Sequence, residues 1–159
     1  MEARNIAMKT FVVIKPDAIR RGLVGEIVKR FEQKGFTIER MELRYKNEEW
    51  CRLQYSQFVC DCGDDCVNKE IFYPLVHALA GESLIGMVLK GPDAVFVVRR
   101  MVGATDSTQA EPGTIRGDFG SLPVRENLVH ACDDEDRVDT EIRYFFDEET
   151  DCETSPNQR

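Results

Sequence analysis

Apolar positions along the chain follow two rhythms, each marking a kind of element. Residues 11–14, "FVVI", form an unbroken apolar run and predict a strand buried on both faces. Pro16 and Asp17 close it, leaving Lys15 at its end. Val24, Ile27, Val28 and Phe31 recur at helical spacing, and Gly35 after Lys34 is a C-cap signal. The next stretch alternates as a half-buried strand. Phe36 and Ile38 hold one phase; Met41, Leu43 and Tyr45 hold the other, so a bulge near Glu39 and Arg40 is expected.

Asn47 caps a predicted helix reaching about Gln57, and a Cys/Asp/Gly-rich loop covers residues 60–67. A helix over about 68–80 must place Pro74 in its first turns or kink there. "SLIGMVLKG" is a second continuous strand, and a helix follows from Pro92 to Gly103. Residues 104–122 show no period, and loops of that length are functional or disordered. "NLVHA" is the last strand. Asp133 and Asp134 open a helix to Phe146, and the remainder reads as a polar, mobile tail.

The order β-α-β-α-α-β-α-β-α predicts a ferredoxin-like α+β sandwich: a split β-α-β arrangement with an antiparallel four-stranded sheet covered by helices. The expected organisation is one domain over residues 1–159, with its core at about 9–146. Residues are 42% hydrophobic and 31% charged, ordinary for a globular protein. No apolar run is long enough to span a bilayer, and the N-terminal segment lacks a secretory pattern, so a cytoplasmic location is expected. Net charge of −8 disfavours nonspecific nucleic-acid binding but leaves room for a local basic pocket. Of six cysteines, Cys60, Cys62 and Cys66 cluster, yet their spacing misses the paired ligands of common zinc sites.

The candidate chemistry gathers near the C-terminal end. His130 is one of two histidines. On the last helix Glu141 lies beside the stripe of Val138, Ile142 and Phe145, where a carboxylate needs a partner. A glutamate bonded to one ring nitrogen fixes the tautomer and leaves the other lone pair free to attack. A core histidine satisfied by backbone, and a glutamate reaching to water, are the plainer alternatives. Lys15, Arg99, Arg100 and Arg116 together suggest a polyanion site, with Gly113 and Gly117 flanking Arg116. Neither GxxxxGK[ST] nor GxGxxG is present, so a phosphate would rest on side chains and a divalent ion.

"KPDAIRRGLVGEIVKRFEQKGF", "GATD", "PGTIRGDF" and "NLVHACDD" resemble, in order and spacing, the blocks of the nucleoside diphosphate kinase family. The resemblance runs from about Lys9 to Phe146. It implies transfer of the γ-phosphate from a nucleoside triphosphate to a nucleoside diphosphate, by a ping-pong route through phosphohistidine at His130, with broad base specificity. It also implies roles for matching residues. Glu141 anchors the imidazole. Lys15 touches the ribose 3′-hydroxyl and terminal phosphate, and Asn127 the sugar. Arg99, Thr105 and Arg116 hold phosphates, Tyr55 lies near the transferred group, and Phe72 stacks on the base. Mg²⁺ rides on the phosphates, with Asp133 reaching it through water. A homo-oligomer, hexamer or tetramer, is implied as well. Ala131 and Cys132 stand where relatives commonly carry glycine and serine, and Cys132 raises the prospect of an oxidation-sensitive site. Two rival readings are a non-catalytic nucleotide-binding protein on the same fold and a metal- or redox-responsive module built on the cysteine cluster.

Overall fold

The computed structural model describes residues 8–58, 69–121 and 126–152. Its strands are β1 (Lys9–Ile14), β2 (Thr37–Tyr45), β3 (Ser83–Lys90) and β4 (Val129–Ala131). They form one antiparallel sheet in the order β2-β3-β1-β4, the ferredoxin-like order. The helices are α1 (Pro16–Arg20), α2 (Val24–Lys34), α3 (Glu48–Gln54), α4 (Lys69–Leu79), α5 (Ala94–Val102), α6 (Ile115–Phe119) and α7 (Val138–Phe146). The cluster Cys60–Cys66 lies outside the described residues.

Alternation along β1 explains its unbroken apolar run. Val12 and Ile14 face one core with Ile27, Phe31, Val98 and Ile115, so α2, α5 and α6 cover that side. Phe11 and Val13 face a second core with Trp50, Phe72, Leu79 and Phe145, so α3, α4 and α7 cover the other. Gly35 ends α2 in the left-handed region at φ 106°. The β2–β3 register shifts between Ile38 and Arg40, where the phase slip predicted a bulge. Asn47 caps α3 by accepting from Trp50 N–H.

Two short helices went unread. Both α1 and α6 are five residues long, too brief to show a period. Their start signals were present: Pro16 at the first turn of α1, and Thr114, whose hydroxyl accepts from Gly117 N–H. The tail also differs from expectation as far as residue 152. Thr150 is buried, and Asp151 Oδ1 accepts from Lys46 Nζ at 2.6 Å. Lys46 is fully buried and donates also to the carbonyl of Asp147 at 2.9 Å. Arg44 Nη1 reaches the other oxygen of Asp151 at 2.9 Å. This buried ammonium draws the segment down onto β2, and a polar composition did not reveal it.

Phe145 fastens α7 to the sheet. Its ring meets Phe11 and Trp50 at 5.6 and 5.8 Å between centroids. Gly86 in β3 makes the space: a β-carbon there would collide with that ring. Gly86→Ala is expected to lower unfolding free energy by about 1–3 kcal/mol through overpacking. Urea unfolding checks this, and an unchanged midpoint would refute it.

Candidate active site

Strand alternation aims the histidine. Val129 and Ala131 pack into the first core, so His130 between them projects to the opposite face, toward α3 and α7. Its Nε2 lies 2.8 Å from Oε2 of Glu141. Glu141 is 1% exposed and the His130 side chain 19%, so the carboxylate is sealed while the ring reaches solvent. Burial opposes ionisation of Glu141. Hydrogen bonds from His130 and Gln54 and the charge of Arg137 outweigh it, and its pKa falls below the ordinary carboxylate value. An ionised carboxylate only accepts, so Nε2 carries the proton and Nδ1 keeps its lone pair.

In front of the ring is a cavity of about 510 Å³. Lys15, Tyr55, Arg99, Thr105, Arg116, Asn127, Asp133 and Glu141 line it with His130. These are all but one of the residues given individual roles above; Arg100, expected among the cations, instead lies over the exposed ring of Phe96. Lys15 Nζ donates to Asn127 Oδ1 at 3.0 Å, and Asn127 Nδ2 to the carbonyl of Thr105 at 3.0 Å. Burial pushes the Lys15 ammonium down to about 8, with Asp17 opposing and Arg116 adding to the shift. Arg116 is buried and donates to the carbonyls of Asn127 and Gly103 at 3.0 Å each, and to that of Val129. Burial and nearby Arg99 push its pKa down to about 10, which leaves it cationic at neutral pH. Arg99 Nη1 donates to the carbonyl of Ala131 at 3.3 Å. The Tyr55 ring meets His130 edge-on at 5.9 Å, and burial raises its pKa, so its hydroxyl keeps its proton.

The approach to β4 is unusually constrained. Leu128 adopts φ 72°, a conformation that costs a branched residue roughly 1–3 kcal/mol. Buried Asp17 holds it there, its Oδ2 accepting from Leu128 N–H at 3.1 Å. Carbonyls on either side, of Asn127 and Val129, are the ones Arg116 grips. This turn places Asn127 toward Lys15 and His130 toward Glu141.

Phe72 is the exception. It is fully buried in the second core with Leu79, so it cannot stack on a base in the cavity. Ile71 and Leu75 line the cavity instead, one helical turn apart on α4. Helical phase turns Ile71 away from the core side, where Phe72 and Leu79 are seven apart, and leaves Leu75 between, touching both cavity and core. Gln54 and Arg137 were also missed. Arg137 stands four residues before Glu141, an opposite-charge helical spacing that could have exposed it. Gln54 is neutral and ends a helix, so no pattern marked it. Cys132 is buried, and its thiol pKa is pushed up to about 12 by burial and by Glu141. It is held as a thiol donating to the carbonyl of Asp134 at 3.2 Å, which removes the expected oxidation sensitivity.

Residues 8–150 match the family model described as nucleoside diphosphate kinase. The chain is 44% identical over 141 residues to a protein of that name from Nocardioides sp., covering 89% of this chain and 98% of that one. It is 40% identical over 142 residues to one from Sulfolobus acidocaldarius, covering 89% and 92% respectively. Among solved structures, a halophilic nucleoside diphosphate kinase from Halobacterium salinarum in complex with CDP superposes with a TM-score of 0.78 at 36% identity, covering 94% of this chain and 93% of that one. An apo nucleoside diphosphate kinase from Encephalitozoon cuniculi gives 0.78 at 28% identity, covering 95% and 97%.

Lys15 is charged below about pH 8 and neutral above it. Affinity for a nucleoside diphosphate is therefore expected to hold below that pH and weaken above it, towards about tenfold per unit. Calorimetric titration from about pH 6.5 to 9.5 tests this, and Lys15→Met should abolish the dependence.

Proposed function

We infer the roles of individual side chains from the premise that this chain belongs to the nucleoside diphosphate kinase family. It is a phosphotransferase, moving the terminal phosphate of a nucleoside triphosphate to a nucleoside diphosphate through a phosphohistidine. His130 is the residue that carries the phosphoryl group, and Nδ1 is the atom. The observation supporting this is the Nε2 contact to Glu141 at 2.8 Å, which leaves the second nitrogen's electron pair uncommitted beside a cationic cavity.

In the first half-reaction Nδ1 attacks the γ-phosphorus. The bond to the β-phosphate oxygen breaks, and the diphosphate leaves with the electron pair. In the second, a terminal oxygen of another diphosphate attacks the phosphohistidine, and the N–P pair returns to Nδ1. The proton stays on Nε2, hydrogen-bonded to Glu141, throughout. Lys15 and Asn127 hold the sugar, and Lys15 also meets the terminal phosphate. Arg99, Arg116 and Thr105 hold phosphate oxygens, and the Tyr55 hydroxyl donates near the group in transit. A single well-placed arginine supplies roughly 10³ to 10⁵ in phosphoryl transfer. The base rests on Ile71 and Leu75.

Among the described residues no group of three or more His, Cys, Asp or Glu side chains is arranged to cage a metal. Exposed Asp133 at the cavity's edge suits outer contact with a nucleotide-borne ion. Mg²⁺ bound to the phosphates would supply charge neutralisation there, with Asp133 touching its water.

The protein acts in the cytoplasm, where Cys51, Cys132 and Cys152 persist as the free thiols described. No helix among the described residues is long and apolar enough to cross a membrane. It assembles as a homo-oligomer through β2. This strand is an edge of the sheet and exposes Met41 at 39% and Leu43 at 51%.

Incubation with γ-labelled ATP and no acceptor is expected to leave acid-labile, alkali-stable label on His130. His130→Ala should take up none, and nucleotide bound without label would overturn the assignment. Glu141→Gln should slow labelling by roughly 10² to 10⁴. For assembly, Leu43→Lys is expected to yield a smaller particle in analytical ultracentrifugation. An unaltered sedimentation coefficient would exclude β2 as the contact.

A further inference from the structure

Gln54, the last residue of α3, is 1% exposed, yet it sits against the reacting residue. Its amide nitrogen is 3.1 Å from His130 Nε2. Because Nε2 spends its hydrogen on Glu141, it has no lone pair to receive one. The amide, placed beside the His130–Glu141 contact, therefore acts on the Glu141 carboxylate, whose pKa it helps to hold low. Arg137 closes the arrangement. Its Nη2 lies 3.7 Å from Glu141 Oε1 and donates to the backbone carbonyl of Gln54 at 3.4 Å.

This shell is not explained by stability. The Oε1 of Gln54 is buried with no hydrogen-bond partner, a defect that costs about 1–3 kcal/mol. A methionine or leucine of similar volume would avoid it. Buried polar groups left unsatisfied call for another explanation, and a catalytic role is one. Geometry supplies it. Bonded to His130 alone, the carboxylate of Glu141 is free to turn about its last torsion, and the ring is then free to carry its proton on Nδ1. Donors from α3 on one side and from the start of α7 on the other remove that freedom.

We propose that Gln54, assisted by Arg137, is a positioning residue for phosphoryl transfer: it locks the Glu141 carboxylate onto His130 Nε2 and so keeps the attacking lone pair on Nδ1. The proposal rests on His130 being the nucleophile. Its effect belongs to the chemical step rather than to nucleotide binding, because the amide serves the ring's rear nitrogen.

Gln54→Met removes the amide and keeps the volume. With the full chain and saturating ATP, rapid-quench measurement of phosphoenzyme formation should show a loss of roughly 10- to 100-fold, the range for groups that orient a catalytic ligand. KM for the nucleotide should change less than about twofold, and the urea midpoint should hold or rise as the orphaned oxygen disappears. The ¹⁵N spectrum of His130 should move from a single Nε2–H tautomer to a mixture. In a Glu141→Gln background the same substitution should have almost no further effect, since the two act in one chain. Arg137→Met provides a second variant on a partly exposed side chain, with a loss in the same direction. Unchanged phosphoenzyme formation in Gln54→Met, or an equal loss with and without Glu141, would overturn the proposal. Label persisting in His130→Ala would instead remove its premise, so the two failures are distinguishable.

Discussion

A carboxylate cut off from water survives inside a fold only if donors surround it, and Glu141 is the group whose demand organises this molecule. Its partners come from separate places: His130 from β4, Gln54 from the end of α3, Arg137 from just ahead of α7. Each must be positioned before the charge is tolerable. The second core does that positioning, since Phe145 and Val138 on α7 and Trp50 on α3 bury the same helices that deliver the polar groups. Packing and tautomer choice are thus one problem. The apolar face sets the angle at which α7 crosses the sheet, and that angle decides whether a ring nitrogen meets an oxygen at 2.8 Å.

The front of the ring obeys a different logic. Arg116 is tied to three backbone carbonyls and Arg99 to a fourth, while Lys15 donates to a neutral amide oxygen. Carbonyl dipoles orient a guanidinium without cancelling its charge. A chain of net charge −8 thereby keeps a positive cavity. Burial strengthens the effect and also makes it expensive, which is visible in the lowered pKa values of Lys15 and Arg116. The strained Leu128 belongs to the same scheme. Asp17 and Arg116 hold the backbone on both sides of it, so the strain is borne by a turn that cannot relax.

Much of this was readable from residue order. The four strands, the bulge in β2 and the caps at Asn47 and Gly35 follow from local chemistry, because each depends on neighbours within a few positions. Glu141 stood out because a charge beside an apolar stripe is a conflict at one helical face. What stayed hidden depends on distant pairings. Lys46 looked like an ordinary surface lysine until Asp151 was brought to it. Gln54 carries no charge and no period. Phe72 was misassigned because an aromatic residue near the expected position outweighed helical phase, which turns it inward and turns Ile71 outward. Cys132 invited a redox role by type alone, and burial withdraws it.

The ammonium of Lys46 also ties the order of synthesis to the order of assembly. It is laid down directly after β2, yet the carboxylate that neutralises it follows α7, near the end of the described chain. While the polypeptide is emerging, the space between α3 and Phe145 cannot be sealed without trapping a naked charge. The second core, and with it the site, therefore cannot close until Asp151 has been made. A nick between α7 and Asp151 would undo it from the inside, although it touches nothing in the cavity.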